Sequence, residues 1–266
     1  MTKKELGEYI KCAKDPIYFL NKYYYSYNIL KYDFDKINLF DYQEDLLKKI
    51  TENNRTIFLK SRQVGLSTTV IGYIIWILLF KSDQRIALIV NSDLNRIHYI
   101  KKIEYSIKKL PEFFCKDFYT KSKERIEINE NYLIIGYDGA NPGCSEHLTM
   151  IVFDEFAYFQ NANSILVSAL PTLVSNGKFI IISSPNKEKD IFHNIWIESQ
   201  KKENSFMGTT IHCTEHPVYS VSKELRKDEF GRSYWWSPWY EEMCKTLNYN
   251  QSIIGKEMDL TFESND

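Results

Sequence analysis

A strand signal, a polar loop and a long apolar run follow one another in residues 56–80, and this order constrains the fold more than any other feature. Residues 56–59 read T-I-F-L, the loop that follows ends in Gly65, and the largely apolar run covers Leu66–Phe80. In a strand–loop–helix unit of this kind, backbone N–H groups and the helix N-terminus point at an anion. The segment predicts a phosphate-binding loop, although an ordinary strand-to-helix turn would show the same pattern.

The loop departs from the standard phosphate-loop pattern at one position. Ser67 or Thr68 supplies the hydroxyl that ligates Mg²⁺ in such loops, but Leu66 stands where the pattern has its lysine. The positive charge for the β and γ phosphates must therefore come from elsewhere. Lys60 and Arg62 are the two candidates within the same loop.

A second apolar strand signal runs directly into two carboxylates, in the stretch 148–156 that reads L-T-M-I-V-F-D-E-F. Buried carboxylates are unfavourable unless they meet a cation or water. Asp154, at the end of the strand, could hold Mg²⁺, and Glu155 could polarise a water for attack on a γ-phosphate. Together with the upstream loop, this stretch predicts a nucleotide-hydrolysing site on a parallel sheet.

Smaller features fit the same site but have alternative interpretations. Gln43 precedes the loop, and its amide could pair with an adenine, or it could be a surface residue of an amphipathic helix. Ser183 and Ser184 follow a predicted strand and could sense a γ-phosphate, or they could form a common turn. The cluster of His212, Cys213 and His216 is interpreted as a strand end followed by a His-Pro turn rather than a metal site, because a fourth ligand at suitable spacing is missing.

Composition excludes some classes of protein. The 34 basic residues are balanced by 35 acidic ones, so a globally basic nucleic-acid binder is not indicated, although a local basic groove would be compatible. The five cysteines show no C-x-x-C spacing. The chain starts without the apolar core of a signal peptide, and its longest apolar run, 70–80, is shorter than the roughly 20 residues of a membrane span. We expect a soluble, cytosolic protein.

Helix and strand signals alternate through the rest of the chain. Strands are expected at Arg85–Val90, 178–182 and 207–213, with a hairpin at 124–128 and 132–137. The expected helices are 3–11, one that begins at Pro16 with Asp15 as its cap, one ending at Ile50, 94–110, 162–174, 190–201, one that begins with the cap-then-proline pair Ser237-Pro238, and 253–260. Tyr23, Tyr24, Tyr25 and Tyr27 could stack on nucleic-acid bases, but aromatic clusters at this spacing more often serve packing. A change to charged, Trp-rich sequence places a boundary near 214–218.

These segments, in this order, resemble the large terminase subunit of tailed bacteriophages, the ATPase that pumps DNA into the procapsid. The segments that carry the resemblance span nearly the whole chain: D-P-I-Y-F-L, F-D-Y-Q-E, L-K-S-R-Q-V-G-L-S-T-T, N-P-G-x-S leading into M-I-V-F-D-E-F-A-Y-F, I-I-I-S-S-P-N, H-P, S-P-W-Y and the final G-K-E-M-D-L-T-F-E-S.

The resemblance implies a role for each matching residue. Glu155 matches the catalytic glutamate, Asp154 and Ser67 the Mg²⁺ ligands, and Ser183 and Ser184 the motif that couples hydrolysis to movement. Lys60 matches the lysine of deviant phosphate loops, and Arg62 an arginine thought to respond to the γ-phosphate. The residues expected to bind ATP are Tyr42, Gln43, Lys60, Ser61, Arg62, Gln63, Val64, Gly65, Leu66, Ser67 and Thr68.

Two departures from the family pattern stand out besides Leu66. Some relatives carry an arginine before the acid strand that reaches a neighbouring subunit, but this chain has Cys144 in that loop. If this chain has such a residue, the candidates are Arg125, Arg226, Arg232 or a lysine. Large terminases also have a nuclease domain of ribonuclease-H-like fold, which would begin where this sequence stops, so we expect no nuclease activity in this chain.

The sequence therefore predicts an α/β P-loop NTPase of the additional-strand, catalytic-glutamate type, with a mostly parallel central sheet flanked by helices. Residues 1–215 would form the ATPase core, of which 1–38 are an N-terminal helical segment, and 216–266 a small C-terminal lid subdomain. Two alternatives remain open, a helicase-like DNA translocase and a nucleotide-binding scaffold that has lost hydrolysis.

The resemblance also implies cofactors, partners and location. ATP and Mg²⁺ are the expected cofactors. Double-stranded DNA, a portal protein and a small terminase subunit are the expected partners, with a homo-oligomeric ring on the procapsid, a monomer in free solution and no membrane. The location would be the cytoplasm of the infected bacterium, and transiently the procapsid portal.

Overall fold

A computed structural model describes residues 1–28, 33–115, 119–122, 125–139, 147–227, 231 and 233–264. Its strands are β1 (Tyr25–Asn28), β2 (Asp33–Lys36), β3 (Arg55–Lys60), β4 (Arg85–Val90), β5 (Tyr119–Lys121), β6 (Arg125–Ile128), β7 (Asn131–Tyr137), β8 (Leu148–Asp154), β9 (Leu173–Ser183), β10 (Met207–Ile211), β11 (Glu224–Lys227) and β12 (Ser233–Trp236). Its α-helices are α1 (Lys3–Lys14), α2 (Pro16–Tyr23), α3 (Asp41–Glu52), α4 (Leu66–Phe80), α5 (Asp93–Lys108), α6 (Glu112–Cys115), α7 (Ala162–Ala169), α8 (Ile191–Lys201), α9 (Pro238–Thr246) and α10 (Gln251–Glu257).

A central sheet of eight strands runs in the order β10-β3-β9-β8-β4-β7-β6-β5. The strands from β10 to β7 are parallel to their neighbours, and β6 and β5 continue the sheet antiparallel. β4 and β8 are nearly continuous apolar runs and β3 is buried after its first residue, as expected for parallel strands that are covered on both faces. The predicted mostly parallel sheet is confirmed, and β9 lies between the strand of the predicted loop, β3, and the acid strand, β8.

Helix α4 lies at the centre of the larger hydrophobic core. It is apolar on nearly every side and buried along most of its length, which is typical of a helix enclosed by other elements. The N-terminal helices cover its outer side, where Trp76 Nε1 donates to the Cys12 carbonyl at 2.7 Å and the Tyr9 hydroxyl to the Leu79 carbonyl at 3.3 Å. A second core on the opposite face of the sheet contains α7 and α8 residues.

The tyrosine cluster after α2 serves packing. Tyr24 is buried in the main core, and Tyr23 packs edge-on against Phe113 and Phe114. Tyr27 is exposed but contacts Phe34 across the β1–β2 hairpin, with ring centres 5.4 Å apart. These contacts favour the packing interpretation over stacking on nucleic-acid bases.

Two predicted helices have different limits in the structure. The helix expected over 162–174 ends at Ala169, because Pro171 cannot continue the ladder of helical hydrogen bonds, and Leu173 already pairs with Leu148 in the sheet. The helix expected over 253–260 is α10; the Asn250 side chain caps its start by accepting from the Ile253 N–H at 3.1 Å. Its last turn ends before Leu260, whose φ of 59° is left-handed.

The C-terminal residues have a small core of their own. Its buried members belong to α9, α10 and the segments beside them: Cys213, Tyr240, Cys244, Ile254 and Met258. The predicted division into a core and a lid near residue 215 stays a prediction. In the described ranges, no helix has both the length and the apolar character that crossing a bilayer requires.

Candidate functional site

The carboxyl ends of three neighbouring strands bring the predicted site residues to one edge of the sheet. β3 ends at Lys60, β8 at Asp154 and β9 at Ser183, and the register aligns Leu59 with Ser183. Because parallel strands end at the same edge, residues far apart in sequence meet here.

The loop between β3 and α4, residues 61–65, presents unpaired backbone donors. Gln63 and Gly65 both have positive φ, 60° and 77°, which turns the chain sharply before α4 begins. Within the described parts of the chain, no group accepts a hydrogen bond from the N–H of residues 63–68. Successive free N–H groups at a helix start form a concave, positively polarised site that suits a phosphate.

Gly65 is favoured by backbone geometry and by the close approach of the Gln43 side chain. Its φ of 77° is unfavourable for other residues, and a Cβ atom would lie 2.6 Å from Gln43 Nε2. Gly231 has a similar φ, 79°, but among the residues that the structure describes a Cβ atom there would meet nothing within 4 Å.

We therefore expect Gly65→Ala to destabilise the protein more than Gly231→Ala. The second change carries only the left-handed backbone penalty of about 1 kcal/mol, and the first also displaces the Gln43 amide from its hydrogen bond with the Val64 carbonyl, for a total of roughly 2 kcal/mol. Urea unfolding of both variants measures the difference. Equal losses of stability would mean that Gln43 does not constrain Gly65, and adding Gln43→Ala to Gly65→Ala should recover part of the loss.

Glu155 is held by a cation and by the end of β9. Lys60 Nζ lies 2.7 Å from Glu155 Oε1, and the Ser184 hydroxyl and N–H donate to Oε2 at 3.0 and 3.3 Å. Burial acts to raise the pKa of Glu155, but the charge and hydrogen bond of Lys60, with smaller effects of Ser184 and Arg62, outweigh it and lower the pKa. Glu155 is therefore a carboxylate at neutral pH.

Asp154 is more deeply buried and accepts hydrogen bonds from hydroxyl groups. Its residue surface is 2% exposed. Ser67 Oγ donates to Oδ1 at 3.0 Å, and the Tyr99 hydroxyl donates to Oδ2. Burial and the adjacent charge of Glu155 raise the pKa of Asp154, while Lys60 and the two hydroxyl donors oppose that rise.

The residues at this edge fit a hard divalent cation. Ser67 and Asp154 offer a hydroxyl and a carboxylate side by side, and oxygen ligands of this kind are those that Mg²⁺ prefers. Mg²⁺ is usually bound by one or two carboxylates together with substrate phosphates, and the free N–H groups of the adjacent loop would hold those phosphates close by.

The turn after Glu155, residues 156–161, is held in place by hydrogen bonds. Glu155 itself has a φ of 57°, and the Ala157 N–H donates to Ser183 Oγ at 3.1 Å. The buried Asp138 accepts from the N–H of Gln160 and, at 3.0 Å, from that of Asn161. The turn is thus tied to both β9 and the end of β7.

Tyr42 and Gln43 contact the loop rather than facing away from it. The Tyr42 hydroxyl donates to the Val64 carbonyl at 2.6 Å, and Gln43 Nε2 donates to the same carbonyl at 3.3 Å. Gln43 Oε1 accepts from the Phe40 N–H at 3.1 Å. Both side chains brace the loop, and adenine recognition by Gln43 stays a prediction.

Ser61 and Arg62 join the loop to the C-terminal residues. Ser61 Oγ donates to the Met258 carbonyl at 2.6 Å, and the Arg62 N–H donates to the Glu257 carbonyl at 2.8 Å. The Arg62 side chain also pairs with Glu257, with Nε and Oε2 3.0 Å apart. Leu66, at the usual lysine position, is buried in the main core.

The two described arginines proposed for the neighbouring subunit's nucleotide contact residues that are not part of the site. Arg125 pairs with Glu127 and covers the Tyr132 ring, and Arg226 pairs with Glu224 and covers the Trp236 ring. Arg232 and the loop 140–146 with Cys144 lie outside the described residues.

The His212 cluster is part of the C-terminal packing. His216 stacks on Tyr219 at 3.8 Å between ring centres, and Tyr219 stacks on Trp239 at 3.9 Å. The Tyr219 hydroxyl also donates to the Gln63 carbonyl at 3.2 Å. Over the described ranges, no group of three or more His, Cys, Asp or Glu side chains is placed to hold a metal ion.

Three residues at the site were not indicated by the sequence. Asp138 directly follows β7, and nothing in the sequence specified its hydrogen-bond partners. Tyr99 lies within a helix and carried no local signal, and Glu257 belongs to the final segment that carries the resemblance, which gave it no role.

Comparison with known proteins supports the fold. No protein-family model matches the sequence. The bacteriophage HK97 large terminase superposes over 93% of this chain with a TM-score of 0.69 at 10% identity. A mutant form of the Thermus phage P74-26 large terminase ATPase domain superposes over 83%, covering 93% of that domain, with a TM-score of 0.61 at 13% identity.

A third structure, the large terminase of a thermophilic bacteriophage in complex with ADP, superposes over 80% of this chain with a TM-score of 0.56 at 12% identity. This chain spans 54% of the HK97 protein and 49% of the ADP-bound terminase. The similarity expected from the sequence motifs is therefore confirmed at the level of fold, and the chain has the fold of the ATPase domain of bacteriophage large terminases.

Proposed function

We propose that this chain is an ATPase motor domain that hydrolyses ATP to move double-stranded DNA into a viral procapsid. The observation that carries the proposal is the pairing of Lys60 with Glu155 directly beside the contact of Ser67 with Asp154. These two contacts lie beside the loop between β3 and α4, whose N–H groups are free to bind phosphate.

The loop and Lys60 would bind the phosphates. The N–H groups of residues 63–68 would hold the phosphate oxygens, and Lys60 would offset their charge in place of the lysine missing at Leu66. Lys60 now contacts Glu155, so phosphate binding would draw its ammonium group partly away from that carboxylate. Arg62, paired with Glu257 at the same loop, is the second cation within reach.

Ser67 and Asp154 would hold Mg²⁺, which when bound supplies charge neutralisation on the phosphate oxygens. Glu155 would accept a hydrogen bond from the attacking water and orient it, because its lowered pKa keeps it ionised. Ser184, which donates two hydrogen bonds to Glu155, would keep that carboxylate in place.

Movement would follow from contacts between this edge and the rest of the chain. Ser183 and Ser184 connect the turn after Glu155 to β9, and Ser61 and Arg62 connect the loop to α10. Loss of the γ-phosphate would alter both sets of contacts at once. As part of a terminase, the chain would act in a ring on the procapsid portal, with a small terminase subunit, in the cytoplasm of the infected bacterium.

Nucleotide binding and phosphate release by the full chain test this proposal. We expect Mg²⁺-dependent ATP turnover that is abolished by EDTA and that rises with protein concentration as subunits assemble. Duplex DNA should be moved in a triplex-displacement assay. Stimulation by single strands alone would favour a helicase-like translocase, and nucleotide binding without turnover at any concentration would favour a scaffold.

A further inference from the structure

The two adjacent carboxylates have separate sets of donors. Glu155 is held by Lys60 and Ser184, whereas Asp154 receives a hydroxyl on each oxygen. One of these hydroxyls belongs to Ser67, in the loop itself. The other belongs to Tyr99, which takes no part in the reaction described above.

Helix α5, and not the acid strand β8, sets the position of Tyr99. The residue lies on α5, which follows β4, and β4 pairs directly with β8 through Ile89 and Phe153. The Tyr99 ring packs against the main hydrophobic core, and Lys102 Nζ lies 5.6 Å from the ring centre. The hydroxyl is therefore presented to Asp154 from a neighbouring, independently anchored helix.

We propose that Tyr99 is a positioning residue that orients Asp154 for the divalent cation, a role that rests on the proposed ATPase function. With Ser67 as its sole donor, the carboxylate could rotate about its Cβ–Cγ bond. A second donor on Oδ2 fixes the carboxylate plane and leaves Oδ1 directed at Ser67. It also stabilises the negative charge of Asp154 beside that of Glu155, in a place where Asp154 is 2% exposed.

The expected effect is on metal affinity. Donors that hold a metal-binding carboxylate typically contribute 10–100-fold to metal affinity, so Tyr99→Phe should weaken divalent-cation binding at least about tenfold. The phenyl ring keeps the packing of the wild-type side chain, and the loop that would hold the phosphates is untouched. Binding of nucleotide in the absence of metal should therefore stay within about twofold of wild type.

Mn²⁺ is the probe, because its binding can be followed by electron paramagnetic resonance without any turnover. Mn²⁺ would be titrated into the full chain with ADP, and binding of a fluorescent ADP analogue would be measured separately in EDTA. Tyr105→Phe is the matched control, since Tyr105 lies on the same helix but stacks on Phe34. The control should bind Mn²⁺ like wild type.

A double-mutant cycle with Asp154→Asn shows whether Tyr99 acts through Asp154. We expect Asp154→Asn to lose Mn²⁺ binding relative to wild type and Tyr99→Phe to add no further loss in that background. An equal tenfold loss in both backgrounds would overturn the positioning role. If Tyr99→Phe binds Mn²⁺ as tightly as wild type while Asp154→Asn binds it more weakly, the positioning role is also overturned. The proposed function would then still stand. A wild-type chain that binds neither ADP nor Mn²⁺ would overturn both.

Discussion

Glu155→Gln is expected to lower ATP turnover by about 10²–10⁴-fold while nucleotide binding is retained. An amide cannot accept a proton from the attacking water and orients that water less well than a carboxylate. The substitution nevertheless keeps the size of the side chain and leaves an oxygen that can accept from Lys60. Because Lys60 would no longer be held by a full negative charge, we expect ATP affinity to be equal to or tighter than that of wild type.

Single-turnover hydrolysis and equilibrium ATP binding, measured on the same preparation, separate the two effects. Glu198→Gln, an exposed glutamate on α8, is the control and should behave like wild type in both measurements. Turnover of Glu155→Gln within about threefold of wild type would remove Glu155 from the catalytic role, because a general base contributes far more than that.

Lys60→Met is expected to weaken ATP binding on the order of 100-fold, about 2.7 kcal/mol. The Lys60 side chain is 5% exposed, so no solvent-exposed cation can easily take its place. The variant should also lose stability, because Glu155 would keep a negative charge without its cation. The Glu155 side chain is 24% exposed and therefore partly hydrated. We expect the free energy of unfolding to fall by an amount near the lower end of about 1–3 kcal/mol.

The same substitution should change the pH dependence of the reaction. Lys60 is the main influence that holds the pKa of Glu155 down against burial, so its removal should raise that pKa. Glu155 would then become protonated at a higher pH, and the acidic limb of the kcat/KM profile, which reports groups of the free enzyme, should move towards higher pH.

Two further variants make this expectation specific. Lys48→Met removes a lysine from an exposed pair with Asp45 and should change neither ATP binding nor stability, since such surface pairs contribute little. Combining Lys60→Met with Glu155→Gln should recover part of the stability, because both charges are then gone. Wild-type ATP affinity in Lys60→Met would instead point to Arg62 as the cation that replaces the missing lysine.

The order of elements and the main chemical groups were determined by the sequence itself. Apolar runs that end in Lys60 and Asp154 can be recognised locally, because parallel strands buried on both faces are continuously apolar. The proline and cap signals at Asp15 and Ser237 likewise located the starts of α2 and α9, since capping depends on neighbours in the chain. The limit of α7 was misjudged because sheet pairing of Leu173 depends on a distant strand.

Only the tertiary structure decided which groups contact one another at the site. Sequence spacing offered Lys60 and Arg62 as equal candidates, and the fold pairs Lys60 with Glu155 and Arg62 with Glu257. Tyr99 carried no local signal, because its contact with Asp154 arises from the packing of α5 beside β8. Periodicity, caps and strand ends are local properties of a chain, whereas the partner of a buried charge is set by elements that meet only after folding.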